Sequence, residues 1–126
     1  MCQLFIDAES DLWTSKTRSL RIDGVATSVR MENFFWQVLK EIARRDGMTT
    51  NQVITRLYFE SIDAEHDLGN FTSFLRVCCG RYLALMADGE ISTRISDPLA
   101  AEDSKNILAR EAARRLHKTQ VLMRAQ

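Results

Sequence analysis

The sequence predicts a mainly α-helical fold that carries one short β-ribbon, and three observations lead to this fold class. Residues 25–32 alternate between apolar and polar side chains, the period-two pattern of a half-buried strand. From Asn33 onward the apolar residues recur at helical spacing instead. Gly47 and Gly89 interrupt that spacing where helices commonly end. We therefore expect a strand, two core helices, one extra core helix and a C-terminal helical arm.

The predicted strand, residues 25–31, has two unlike faces. A lone strand this short cannot remain folded, because its backbone donors and acceptors need a partner. Either the preceding segment 18–22 returns through Asp23-Gly24, a favoured two-residue turn, or a second copy of the chain supplies the partner strand. The apolar or β-branched residues share one face of the strand: Val25, Thr27, Val29 and Met31. The small, polar or charged residues share the other face: Ala26, Ser28, Arg30 and Glu32.

Two capped helices are predicted after the strand. The first covers residues 33–45 and ends at Gly47, which suits the left-handed position after a helix. The second opens with a capping box, in which Thr49 is the N-cap and Gln52 lies three residues later. It fades in the acidic segment 63–67.

The remaining segments are predicted to surround this core. Asn70 is expected to cap a third helix, and Asp97-Pro98 is expected to start the last one, because proline fits the first helical position. That last helix is amphipathic but sparsely apolar, as in a docking or oligomerisation arm. The N-terminal arm is expected to be a short strand or a docked segment. The predicted parts are an arm at 1–17, the core at 18–67, the third helix at 68–87, and a linker with the C-terminal helix at 88–126.

Composition excludes several classes of protein. A chain of 126 residues with 45% hydrophobic and 27% charged residues fits one compact globular domain with appendages. No apolar run is long enough to span a bilayer, and no signal-peptide pattern is found. Cys2, Cys78 and Cys79 match neither a disulfide framework nor a zinc site. We therefore expect a cytoplasmic protein without a metal, a cofactor or a membrane partner.

An enzyme is not expected either. Cys2 would need a nearby base and an oxyanion hole to act as a nucleophile, and the chain offers only His66 and His117, both in polar helical settings. No paired acid and base, metal cluster or glycine-rich phosphate loop is found. Cys78 and Cys79 are therefore interpreted as packing residues rather than a redox switch.

The net charge of zero conceals a segregated charge pattern. Residues 12–59 carry eight positive and four negative side chains, a balance of +4, whereas residues 60–70 carry four negative and no positive ones. Residues 102–126 carry six positive and three negative side chains. A locally basic segment in a neutral chain is compatible with a surface that binds a polyanion.

The order strand, helix, glycine turn, helix resembles the ribbon-helix-helix class of bacterial repressors, of which Arc, MetJ and CopG are the type. Met31 directly precedes the first helix, Ile42-Ala43 forms its apolar–alanine pair, and Gly47-Met48-Thr49 forms the turn. The resemblance covers about residues 1–86 and is closer to the subfamily found in alphaproteobacteria. Four strings carry this closer resemblance: residues 18–24, residues 27–32, Phe35-Trp36 and residues 70–76.

The resemblance implies an intertwined homodimer. The 27–31 strands of two chains would pair antiparallel, and both chains would share one helical core. We expect Val29 and Met31 to reach burial only when a second chain is present. The residues expected in this shared core are Val29, Met31, Trp36, Leu39, Ile42, Val53, Ile54 and Leu57.

The resemblance also implies DNA binding, with Ser28 and Arg30 reading bases in the major groove. Backbone N–H groups at the start of the second helix would hold a DNA phosphate. We expect a sequence-specific transcriptional regulator whose partners are DNA and itself. The alternative is a protein-interaction module, antitoxin-like or an adaptor, that binds a partner through its C-terminal helix. Further DNA contacts are expected from Arg18, Arg21 and Ala26, and the phosphate-binding residues from Thr49, Thr50 and Asn51.

Overall fold

The computed structural model describes residues 1–66 and 70–125. Asp67, the boundary predicted between residues 67 and 68, and Gln126 lie outside the described residues. The mainly helical fold with one short β-ribbon and an extra helix is confirmed. In chain order the elements are helix α1 (Cys2–Ile6), a 3-10 turn (Ser10–Trp13), strands β1 (Ser15–Ile22) and β2 (Val25–Glu32), helices α2 (Asn33–Arg45), α3 (Thr50–Asp63) and α4 (Phe71–Ala87), a 3-10 turn (Leu99–Ala101) and helix α5 (Ser104–Arg124).

The two strands form an antiparallel hairpin within one chain. Ile22 pairs with Val25 across the turn, and the ladder continues in register over the full length of both strands. Asp23 and Gly24 both have positive φ, 53° and 75°, which the tight turn requires at its two central positions. The hairpin is thus the alternative that forms. β1 begins at Ser15, three residues before the predicted start.

The inward face of the hairpin is buried without a second chain. Val29 is 2% exposed and Met31 is 0% exposed, and Leu20 and Ile22 of β1 are buried beside them. Helices α2 and α4 pack against β2. The expectation that Val29 and Met31 need another molecule for burial is therefore wrong, because α2 and α4 of the same chain pack against β2.

One hydrophobic core joins the hairpin to the helices. Of the core positions predicted on the first two helices, Trp36, Leu39, Val53 and Ile54 are buried. The other two, Ile42 and Leu57, are partly buried and pack against that core. Helix α4, the extra core helix, adds Leu75, Cys79 and Tyr82.

Local capping signals place the helix starts as predicted. Thr49 Oγ1 accepts a hydrogen bond from the Gln52 N–H at 3.1 Å, and Gln52 Oε1 accepts one from the Thr49 N–H at 2.8 Å. Asn70 Oδ1 accepts from the Ser73 N–H at 3.1 Å. Gly47, between α2 and α3, has a φ of +67°. Each of these hydrogen bonds joins residues that are no more than four positions apart, so the sequence alone is enough to predict it.

The predicted start of the last helix at Asp97-Pro98 is wrong. Helix α5 begins at Ser104, and the side chain of Asp103 accepts from the Asn106 N–H as its N-cap. Pro98 has an extended backbone, with φ −64° and ψ 140°. Of the two alternatives for the N-terminal arm, the strand does not form, since residues 2–6 are the short helix α1. The 3-10 turn of the arm is docked on α2.

The linker around Asp97 is bonded to distant residues, so Asp97 does not cap a helix. Its side chain accepts from the Ser92 hydroxyl, and Asp46 Oδ1 accepts from the Leu99 and Ala100 N–H groups that an Asp97 cap would bind.

A buried arginine holds the same linker. Arg45 is 4% exposed. Its Nε donates to the Asp97 carbonyl at 2.8 Å, and its Nη1 donates to the Ser92 carbonyl at 2.8 Å and to the Tyr82 hydroxyl at 3.3 Å. The Tyr82 hydroxyl in turn donates to Glu41 Oε2 at 2.7 Å. These contacts bind the linker after α4 to the C-terminal end of α2.

The first half of α5 is attached to the core. Ile107 is buried, and Glu111 accepts two hydrogen bonds from Arg81 of α4, the shorter at 2.6 Å. This pairing lowers the pKa of Glu111. Glu90 pairs with Arg110 at 2.7 Å and with Arg114 at 3.1 Å.

Within the described residues, no helix has both the length and the apolarity to cross a membrane.

Replacing Arg45 by alanine is expected to destabilise the protein by about 2–4 kcal/mol, because hydrogen bonds from a buried charged donor are lost and two backbone carbonyls lose their partner. Urea unfolding followed by circular dichroism measures this change. The exposed neighbour Arg44 is the matched control, since an Arg44→Ala change should stay within about 0.5 kcal/mol. Equal midpoints for the two variants would contradict the structural role of Arg45.

Candidate nucleic-acid interface

The hairpin has an outward face that is open to solvent. Residues paired across an antiparallel ladder lie on the same face of the sheet. The register pairs Thr17 with Arg30, Ser19 with Ser28, and Arg21 with Ala26. The predicted base-reading residues, Ser28 and Arg30, therefore share this surface with residues of β1. We define the outward face as the six exposed residues Thr17, Ser19, Arg21, Ala26, Ser28 and Arg30.

Arg18 and Arg21, both predicted as further DNA contacts, lie on opposite faces. Arg21 is exposed opposite the small Ala26, and its Nη1 donates to the Gly24 carbonyl at 3.3 Å. Arg18 lies on the inward face, and its guanidinium is 5.0 Å from the ring centroid of Trp36, a cation–π contact. A spacing of three residues in a strand already places two side chains on opposite faces. The sequence therefore contained this signal.

Trp36 also positions β1 through its polar edge. The indole Nε1 donates to the Lys16 carbonyl at 2.9 Å. At the far end of β2, Glu32 pairs with Arg76 of α4 at 2.9 Å. Backbone hydrogen bonding of Glu32, and then the Arg76 contact, lower the pKa of this carboxyl. Both strands of the ribbon are thus attached to helices of their own chain.

An open cavity of about 540 Å³ lies beside β1, where α2 ends and α3 begins. Lys40 and Arg44 are four residues apart on α2, so they lie on one side of that helix. Arg18 adds a third positive charge. Helix N-termini present unpaired N–H groups and a partial positive charge. The residues that line the cavity are Arg18, Lys40, Arg44, Met48, Thr49, Thr50 and Asn51.

The predicted phosphate-binding residues all line this cavity. Their backbone N–H groups, however, are not equally free to bind an anion. The Thr49 N–H is bonded to the Gln52 side chain in the capping box, so it is not free for an anion. The backbone donors at this helix end are therefore those of Thr50 and Asn51. The expectation of a free donor at Thr49 is wrong, because the same residue cannot both close the capping box and offer that N–H.

Sequence reasoning missed several residues of these two surfaces. Lys40 and Arg44 were not identified, although their spacing of four on a predicted helix was a usable signal. Thr17 was not identified because β1 begins earlier than predicted. Ser19 lies within the predicted segment 18–22, and alternation with Leu20 was a usable signal for it. Arg45 was counted in the basic segment, but it is buried and adds no charge to the surface.

The described part of the chain also shows how its cysteines and its possible metal ligands are placed. No group of three or more His, Cys, Asp or Glu side chains within it is arranged to hold a metal ion. The three cysteines are free thiols, and burial raises the pKa of Cys79 to about 12. Cys79 is thus a packing residue at neutral pH. The two basic surfaces offer instead what a polyanion needs: fixed cations and hydrogen-bond donors.

Known proteins share this architecture. The family model of the ribbon-helix-helix domain matches residues 15–83, more than half of the chain. The solved structure of an uncharacterized protein from Bordetella pertussis Tohama I is 49% identical, with a TM-score of 0.82 and 86% of each chain covered. No curated protein matches the chain. The match, the hairpin and the two capped helices together show that the chain belongs to the ribbon-helix-helix family, whose domains bind DNA and usually self-associate.

Proposed function

We propose that the protein is a sequence-specific DNA-binding protein, a bacterial transcriptional regulator of the repressor type that acts in the cytoplasm. The observation that carries this proposal is the outward face, where Ser28 and Arg30 are exposed on a two-stranded ribbon. The major groove admits such a ribbon. Arginine bonds bidentately to guanine, and serine bonds to several bases. Ser28 and Arg30 are therefore the base-reading residues of this proposal.

The cavity beside β1 supplies the contacts to the DNA backbone. Lys40 and Arg44 bring positive charge to the N-terminus of α3, and the N–H groups of Thr50 and Asn51 add oriented donors. Phosphate contacts fix the orientation of a protein on the duplex, whereas base contacts supply specificity. Arg18 reaches the same cavity from β1, so it serves the backbone rather than the bases.

We infer that the protein forms a homodimer. The family usually self-associates, and apolar side chains of the helices remain accessible in one chain. Ile42 and Leu57, two predicted core residues, are only partly buried and line an apolar cleft of about 500 Å³ between the helices. Nearby on α3, Ile62 is 48% exposed. A second chain would remove such apolar surface from water.

The mass of the protein in solution tests the homodimer. Light scattering behind a sizing column is expected to give the mass of two chains, twice 14.4 kDa, at micromolar concentration. Dilution should shift a reversible dimer toward the single-chain mass. A single-chain mass at every concentration would contradict the homodimer and would leave the DNA-binding proposal to be tested separately.

Arg30→Ala is expected to weaken binding to a selected duplex by roughly tenfold or more, because one bidentate base contact discriminates by ~1–3 kcal/mol. Fluorescence anisotropy with labelled duplexes measures the dissociation constants. Arg30→Lys separates charge from geometry, since lysine keeps the charge but lacks the planar fork. The control is Lys105→Ala on α5, which removes an exposed charge that belongs to neither surface. Equal losses for Arg30→Ala and Lys105→Ala would contradict base reading by Arg30.

Replacing both Lys40 and Arg44 by glutamine is expected to weaken binding to all duplexes alike. Each lost phosphate contact should reduce the magnitude of the negative slope of log affinity against log salt by about 0.9, because fewer counterions are released. Binding isotherms at several salt concentrations measure that slope, with Lys105→Gln as the control. An unchanged slope would exclude the cavity as a phosphate site.

A second candidate function is a protein-interaction module, antitoxin-like or an adaptor, that uses α4 and α5. The observation that favours it is the second half of α5, where Leu116 and Met123 are 63% and 69% exposed. A chain shortened to residues 1–115 distinguishes the two functions. If this variant binds DNA like the full chain, the second half of α5 is not needed for DNA binding. If the full chain, but not the shortened one, captures a stable partner without nucleic acid, the second candidate is favoured.

A further inference from the structure

The two strands of the hairpin carry the same short pattern. In β1 the residues are Ser19, Leu20 and Arg21, and in β2 they are Ser28, Val29 and Arg30. In both strands the apolar middle residue is buried, with Leu20 at 7% and Val29 at 2% exposure. The flanking serine and arginine are exposed in both strands. The repeat thus lies in the same orientation relative to the core.

The register relates these two patterns by a local twofold axis. Ser19 pairs directly with Ser28. An antiparallel pair of strands has a twofold axis perpendicular to the sheet at the centre of each directly opposed pair. The axis between Ser19 and Ser28 places Arg21 of β1 on the position of Arg30 of β2, because each arginine is two residues beyond its serine. The outward face is therefore nearly symmetric within one chain.

We propose that this hairpin is a complete reading element: one chain presents Ser19 and Arg21 to one half, and Ser28 and Arg30 to the other half, of a short inverted repeat in DNA. The inference rests on the DNA-binding function proposed above. It adds Ser19 and Arg21 as specificity-determining residues, and it assigns to β1 the place that the strand of a second chain would otherwise take.

The dimensions of the major groove support a ribbon from one chain. Neighbouring strands lie about 4.7–4.9 Å apart, so a four-stranded sheet would span roughly 14 Å between its outer strands. The major groove is ~12 Å wide and admits two strands. β1 is held in the second position by the Trp36 contact to the Lys16 carbonyl. In a homodimer, each chain would accordingly bring its own hairpin to its own groove segment.

The spacing of the two arginines sets the spacing of the bases. Arg21 and Arg30 lie on opposite sides of the axis, each two residues from it, so four residue steps separate them along the ribbon. At about 3.4 Å per step this is roughly 13–14 Å. Base pairs stack at about 3.4 Å, so the two guanines should be about four base-pair steps apart. The twofold axis places them on opposite strands.

Selection of duplexes from a randomised pool by the full chain tests the inference. The expected result is an inverted repeat with two guanines at about this spacing. Arg21→Ala and Arg30→Ala should each lose roughly tenfold or more on that repeat. Replacing one guanine of the repeat should weaken binding by the wild type by a similar factor. The same replacement should weaken binding by either variant much less, because that variant already lacks the contact to one half of the repeat.

Matched variants separate failure of the inference from failure of the function. Arg21→Lys keeps the charge of Arg21, and Lys105→Ala removes a charge elsewhere; far-UV circular dichroism verifies folding of each variant. If Arg30→Ala weakens binding but Arg21→Ala behaves like Lys105→Ala, the one-chain reading element is overturned while the DNA-binding function stands. If the wild-type chain enriches no sequence and its binding is the same for every duplex, sequence-specific DNA binding itself is overturned.

Discussion

The contact between Trp36 and β1 is the interaction on which the arrangement of the ribbon depends. The indole donates to the Lys16 carbonyl at 2.9 Å, and the Arg18 guanidinium lies 5.0 Å from the ring centroid. The Trp36 side chain of α2 thus contacts β1 through both the edge and the face of its indole ring. The tight turn at Asp23-Gly24 gives β2 its backbone partner in its own chain, and the Trp36 contact holds that partner strand against α2. The inward residues are then buried, and the outward residues are left to solvent.

Packing divides the basic segment, residues 12–59, into surfaces with different roles. Arg21 and Arg30 are exposed on the outward face, whereas Arg18 is drawn toward Trp36 and the cavity at the start of α3. Arg45 is removed from the surface altogether and binds the linker. Net charge along the sequence therefore overstates the positive charge that a polyanion can reach. The useful quantity is the charge on each face after the strands and helices have packed.

Local contacts were predictable, and long-range contacts were not. The Thr49 capping box, the Asn70 cap and the Asp23-Gly24 turn join residues within four positions of one another, so their residue types predict them. The start of α5 was predicted wrongly because Asp46, 53 residues away from Leu99, accepts from the N–H groups that an Asp97 cap would bind. Alternation along β2 alone was enough to place Ser28 and Arg30 on the face opposite to that of Val29. Identifying Lys40 and Arg44 as cavity residues required the packing of β1, α2 and α3, which the sequence does not show.

By itself, the sequence determined the order of the elements, their caps and the two faces of β2, because a period of two or 3.6 residues requires only neighbouring positions. Only the tertiary structure decided what lies against each face. Helices α2 and α4, rather than a second chain, cover Val29 and Met31, since burial depends on contacts between residues far apart in the chain. For the same reason only the folded chain places Ser19 across from Ser28 and brings Arg18 to the start of α3.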